Sequence, residues 1–84
     1  MEGLRNTYKV RAFGITREIL GAKEKLIETD GQTVGELRSW LLKNYPTLES
    51  LRSLMIAVNN SYAEDDVILA EGDEIGLIPP VSGG

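Results

Sequence analysis

From Tyr8 to Phe13 the chain alternates. Tyr8, Val10 and Ala12 fall on one face, and Lys9, Arg11 and Phe13 on the other. A period of two carried by β-forming residues predicts a half-buried strand. Gly14 interrupts the run, and Ile15–Leu20 predicts a short helix that Gly21 is suited to close. Lys23–Thr29 predicts a second strand, with Lys25, Ile27 and Thr29 opposite Leu26 and Glu28, and Asp30-Gly31 marks a turn. The period then changes. Val34, Leu37, Leu41 and Tyr45 form one stripe, with Glu36, Ser39 and Lys43 opposite and Trp40 and Leu42 on the flanks. Thr33 followed by Glu36 makes a capping box, and Pro46 stops the helix, so the spacing predicts a helix over 34–45.

Beyond it, Thr47–Leu54 predicts a short helical turn, Met55–Val58 a third strand, and Ser61–Ala63 a brief pairing across the turn Asn59-Asn60. Glu64-Asp65-Asp66 reads as an exposed acidic loop and Gly72-Asp73 as another turn. Glu74–Ile78 predicts the last strand, with Ile75 and Leu77 inward and Glu74, Gly76 and Ile78 outward. The apolar stripe of the long helix needs an apolar sheet face to cover. The economical answer is an α+β fold, one helix across one face of a mixed sheet of four to five strands, with short helices besides. If the first and last strands are parallel neighbours, Phe13 and Ile78 both point outward at matching ends and form an apolar patch.

Eighty-four residues make one domain with a modest core. The expected division is a flexible extension over 1–7, a domain over 8–78 and a flexible tail over 79–84. There is no Cys and no His, which excludes disulfides and thiolate chemistry and removes the usual general base and commonest metal ligand. The formal net charge of −4 argues against nucleic acid as a partner and favours a partner with a basic surface. No apolar run has membrane-spanning length, and Met1–Thr7 has no apolar core of the kind a leader needs. A cytoplasmic protein without a membrane partner is expected. The acidic residues Glu64, Asp65, Asp66, Glu71, Asp73 and Glu74 lack calcium-loop spacing, and no metal site is expected. The glycines form no phosphate-binding fingerprint. Thr16, Ser53 and Ser82 are weak nucleophiles without a neighbouring base.

What remains is the ending Ile78-Pro79-Pro80-Val81-Ser82-Gly83-Gly84. Two prolines stop strand pairing. Two glycines then make a thin stalk that a narrow channel can admit, ending in a free carboxylate. A carboxylate acylates poorly until it is activated, most simply by adenylation on another protein. A stalk, a docking patch and a stable body are what such an acyl carrier requires.

The turn Gly72-Asp73-Glu74, the opening Lys9-Val10 strand, the stretch Arg17-Glu18-Ile19-Leu20-Gly21 and, above all, Pro79-Pro80-Val81-Ser82-Gly83-Gly84 resemble the molybdopterin synthase small subunit. This is the MoaD branch of the ubiquitin-like sulfur carriers. The resemblance covers about 8–84 and implies a β-grasp fold. It also implies that a ubiquitin-activating-type adenylyltransferase adenylates Gly84 with ATP, and that a sulfur donor protein converts the acyl-adenylate to a thiocarboxylate. Gly83 and Gly84 would then enter the large catalytic subunit of the synthase, where sulfur passes to cyclic pyranopterin monophosphate in a heterotetramer. No cofactor would be bound by this chain. Phe13, Ile78, Pro79, Pro80, Val81 and Ser82 fall at positions that would face the partner. Ile78 stands where the family often has an aromatic residue. Two other readings are open: a ubiquitin-like modifier, or a carrier for tRNA thiolation or thiamin synthesis, using the same Gly84 chemistry; and an inert β-grasp interaction module.

Overall fold

The computed structural model describes residues 5–51 and 53–80. Its elements are β1 (Asn6–Ala12), α1 (Ile15–Leu20), β2 (Glu24–Thr29), α2 (Val34–Asn44), a 3₁₀ turn (Pro46–Ser50), β3 (Met55–Val58), β4 (Ser61–Tyr62) and β5 (Glu74–Ile78). The strands form one five-stranded sheet in the order β2-β1-β5-β3-β4. Its centre is the parallel pair of first and last strands, with Val10 opposite Ile75 and Ala12 opposite Leu77. The remaining pairings are antiparallel. One helix laid across a mixed sheet with this order is the β-grasp arrangement.

The alternation decides which face is covered. Tyr8, Val10, Ala12, Ile27, Ile56, Ile75 and Leu77 point inward and are buried against Val34, Leu37 and Leu41 of α2. Thr33 caps α2: its hydroxyl accepts from the Glu36 amide at 3.1 Å, and the Glu36 carboxylate accepts from the Thr33 amide at 3.2 Å. The helix stops at Asn44, one residue short of the expected end. Tyr45 becomes its cap, half-buried, with its hydroxyl accepting from Lys25 Nζ at 3.0 Å. Pro46 opens the 3₁₀ turn, because a missing N–H costs nothing at a first helical position. Gly21 closes α1 in the left-handed conformation at φ 79°, as its position in the sequence requires.

Two expectations are corrected. The extension expected over 1–7 is too long, since Asn6 and Thr7 already pair with Thr29 and Glu28. The Asn6 amide donates to the Tyr8 hydroxyl at 3.0 Å, which in turn donates to the Gly31 carbonyl at 3.0 Å. Polar residues on the exposed margin of a strand carry no alternation signal, so the pattern begins late. The tail expected over 79–84 starts too early, because Pro79 and Pro80 are half-buried and Pro79 packs on the β1–α1 turn. The acidic loop Glu64-Asp65-Asp66 is exposed, as expected, and its backbone docks on the start of α2. The amides of Val34 and Gly35 donate to the carbonyls of Val67 and Asp65, both at 2.9 Å, and Leu69 enters the core.

The same loop shows what the acidic residues do. Asp65 pairs with Arg38 at 3.1 Å. Asp73 accepts from the Ala70 amide at 2.8 Å and from the Asn59 amide nitrogen at 3.1 Å, while Glu71 accepts from the Thr7 amide at 3.1 Å. They brace turns rather than converge. Among the described residues, no group of three His, Cys, Asp or Glu side chains is placed to hold a metal ion. No helix among them is long and apolar enough to cross a membrane.

Candidate functional site at the root of the tail

The parallel register of β1 and β5 fixes the site. Ala12 pairs with Leu77, and the next residue along each strand points to the uncovered face. Phe13 and Ile78 therefore stand side by side. A Cβ built on Gly76 would lie 3.5 Å from Phe13 Cε2 and 3.8 Å from Ile78 Cδ1, so both side chains lean over that glycine. Phe13 is 37% exposed and Ile78 half-buried.

The turn that carries Phe13 is tied down on both sides. The Thr16 hydroxyl accepts from the Phe13 amide at 2.8 Å and donates to the Phe13 carbonyl. Arg17 Nε donates to the Ala12 carbonyl at 3.1 Å. Thr16 is thus fully buried and engaged with the backbone, and a nucleophile's role is closed to it. Gly14 follows with φ 58°, and its open side receives the Pro79 ring, whose Cγ would lie 3.1 Å from a Cβ there. The tail thus leaves from a packed root beside the patch. Of the residues singled out in the ending, Val81, Ser82, Gly83 and Gly84 lie outside the described residues.

The patch extends further than the sequence indicated. Met55 pairs with Ile78 and Ala57 with Gly76 on one side of β5, and Tyr62 pairs with Ala57 beyond. Met55 is 46% and Tyr62 69% exposed. Together with Arg11, Asn60 and Glu74, several of these residues line a groove of about 250 Å³ on the uncovered face. The strand alternation already sets Met55 and Ala57 opposite Ile56. What it omits is the register that brings them next to β5. Farther from the tail the same face is polar, with Lys9 bridging Glu24 at 3.2 Å and Glu74 at 4.0 Å. Trp40 lies elsewhere, partly buried against the core with its ring centroid 6.4 Å from that of Tyr45.

A rigid body with a groove beside Pro79, apolar at Phe13 and Ile78 and polar at Arg11, Asn60 and Glu74, can dock on a second protein. The chain is similar to known proteins over most of its length. A model of the ThiS family matches residues 10–84. The molybdopterin synthase sulfur carrier subunit of Caenorhabditis elegans is 38% identical over 80 residues, covering 90% of this chain and 95% of that protein. The subunit of the same name from Arabidopsis thaliana is 35% identical over 78 residues, covering 90% and 81%. Among solved structures, the small archaeal modifier protein 1 of Methanosarcina acetivorans superposes with a TM-score of 0.80 at 28% identity, covering 98% and 100%. A complex of subunits 1 and 2 of the molybdopterin-converting factor from Helicobacter pylori contains a chain that superposes with a TM-score of 0.63 at 33% identity, covering 93% and 99%.

Proposed function

The chain belongs to the ThiS family, and we infer that it is the sulfur carrier subunit of a molybdopterin synthase. The observation that carries this reading is the parallel pairing of β1 with β5, which brings Phe13, Ile78 and the groove they border to the root of the tail. The names of its relatives and the two-subunit complex of the Helicobacter pylori protein support it.

The chemistry resides on Gly84. A carboxylate oxygen attacks the α-phosphorus of ATP on a ubiquitin-activating-type adenylyltransferase, and pyrophosphate leaves. A sulfur nucleophile delivered by a donor protein displaces AMP from the acyl carbon and leaves a thiocarboxylate. In the catalytic subunit that sulfur bonds to a side-chain carbon of cyclic pyranopterin monophosphate as a carbon–oxygen bond of the same carbon breaks and the oxygen leaves. Water then cleaves the resulting thioester, returning the carboxylate and leaving the sulfur on the substrate. The chain supplies no catalytic side chain and binds no cofactor. It supplies a leaving stalk, with Gly83 slim enough for a narrow channel. Phe13, Ile78, Pro79 and Pro80 meet the partner, and Val81 and Ser82 lead the stalk inward. Two carriers at the ends of a dimeric catalytic subunit make the assembly a heterotetramer. Dependence on ATP points to the cytoplasm as its place of work.

The likeness to a small archaeal modifier protein favours a second reading, in which Gly84 is joined to lysines of other proteins. One experiment separates the two. Thiocarboxylated chain is mixed with the catalytic subunit and cyclic pyranopterin monophosphate, and product and spent carrier are counted. Formation of molybdopterin, with one chain returned to the carboxylate for each sulfur transferred, is the expected result. Absence of product, together with lysine adducts of the chain in cells, would establish the modifier instead.

A further inference from the structure

The groove runs along a single register row. Arg11 on β1 lies opposite Gly76 on β5, Gly76 opposite Ala57 on β3, and Ala57 opposite Tyr62 on β4. The two middle positions have no side chain beyond Cβ, so the row is low in the centre and raised at both ends. Phe13 and Ile78 wall it on the side of the tail, and Glu74 and Asn60 on the other. A Cβ on Gly76 would meet Phe13 and Ala57 at 3.5 and 3.7 Å, which is ordinary contact, so a methyl fits and anything longer fills the trough.

Two charged residues border this trough, and they differ. The Glu74 carboxylate is 4.0 Å from Lys9 Nζ. Arg11 sits opposite Glu24 in the β1–β2 register, yet the Glu24 carboxylate goes to Lys9 instead, at 3.2 Å. Among the described residues, Arg11 is left without an ion pair. An exposed guanidinium at one end of a trough floored by Gly76 and Ala57 is suited to a carboxylate: it is weakly hydrated, planar and able to bind both oxygens at once. On a chain of net charge −4, it is also a local reversal of sign, and such reversals fix the register of a docked partner.

We propose that this trough receives an apolar side chain of the synthase catalytic subunit over Gly76 and Ala57, with a neighbouring carboxylate of that subunit paired to Arg11. The proposal rests on the carrier reading for the identity of the partner. It adds that the partner's contact segment is apolar and acidic at this end of the groove, despite the overall acidity of the carrier. Continuity with the packed tail root means that this pairing also sets the angle at which the tail departs.

The test is a titration of the chain with the purified catalytic subunit of the same organism at low and high salt. Arg11→Gln weakens binding about tenfold and flattens its salt dependence, and Arg11→Glu weakens it roughly a hundredfold. Gly76→Leu, which fills the trough, weakens binding roughly a hundredfold, while Gly76→Ala stays within about threefold of the natural chain. Unfolding midpoints of the Arg11 variants stay unchanged, because that side chain is exposed. Natural affinity and salt dependence in Arg11→Glu would overturn the carboxylate pairing, and natural affinity in a folded Gly76→Leu would overturn the occupied trough. If Gly76→Leu fails to fold, Ala57→Leu, which fills the same trough from β3, takes its place. A natural chain that does not bind the catalytic subunit at all would instead overturn the carrier reading and its assignment of the partner.

Discussion

Leu77 and Ile78 are neighbours on β5 with opposite duties, and exchanging them for smaller or charged residues separates folding from docking. Leu77 is fully buried between the sheet and α2. Leu77→Ala removes most of its side chain and leaves a cavity, at a cost of about 2–5 kcal/mol. At roughly 4–8 °C per kcal/mol for a domain of this size, the melting temperature falls by about 8–40 °C. Ile78 faces the groove and is half-buried. Ile78→Asp loses part of an apolar burial worth about 1 kcal/mol and up to ~1 kcal/mol of strand preference. A domain stable by roughly 5–15 kcal/mol withstands that. Binding, on the proposed docking, does not, because a carboxylate then stands in the apolar wall of the groove. Loss of an anchor of this kind costs about 2–4 kcal/mol, or roughly 30- to 1000-fold in Kd. Thermal unfolding followed by circular dichroism, and calorimetric titration with the catalytic subunit, read the two effects separately. Unfolding of Ile78→Asp as severe as that of Leu77→Ala, or natural affinity in a folded Ile78→Asp, would refute the assignment of faces.

Other expectations concern the frame and the tail. Thr33→Ala removes the capping hydroxyl and lowers stability by about 1 kcal/mol in urea denaturation, with Thr33→Ser close to the natural chain. Asn59→Ala removes two side-chain hydrogen bonds to the start of β5 and forces alanine to φ 51°, so a loss of about 2 kcal/mol is expected by the same measurement. A tag fused after Gly84 turns the carboxylate into an amide. It abolishes sulfur transfer while leaving the melting temperature unchanged, and full activity with the tag still attached would count against Gly84 as the reactive group.

Much of this architecture is legible in the sequence, because its signals are local. The capping box at Thr33, the stop at Pro46 and the left-handed pair Asn59-Asn60, with φ of 51° and 74°, depend on a few consecutive residues. The facing of Tyr8, Val10 and Ala12 follows from alternation alone. What alternation does not contain is register between distant strands. Phe13 and Ile78 were reachable because the parallel pairing of β1 with β5 aligns their ends. Met55, Ala57 and Tyr62 join the site only through the pairings of β3 and β4. Leu69 escaped because a lone apolar residue in an acidic loop has no period, and its burial follows from a loop docked on α2. The choice of Gly84 as the reactive group came from elimination and from the resemblance of the ending, and no local rule of folding bears on it.

The most direct measurement is the intact mass of untagged chain after incubation with ATP, an active adenylating partner and a sulfur source. The expected result is a rise matching replacement of one oxygen by sulfur, lost when Gly84 is deleted and reversed when the catalytic subunit and its substrate are added. An unchanged mass, with the same partner shown to load another carrier, would contradict it.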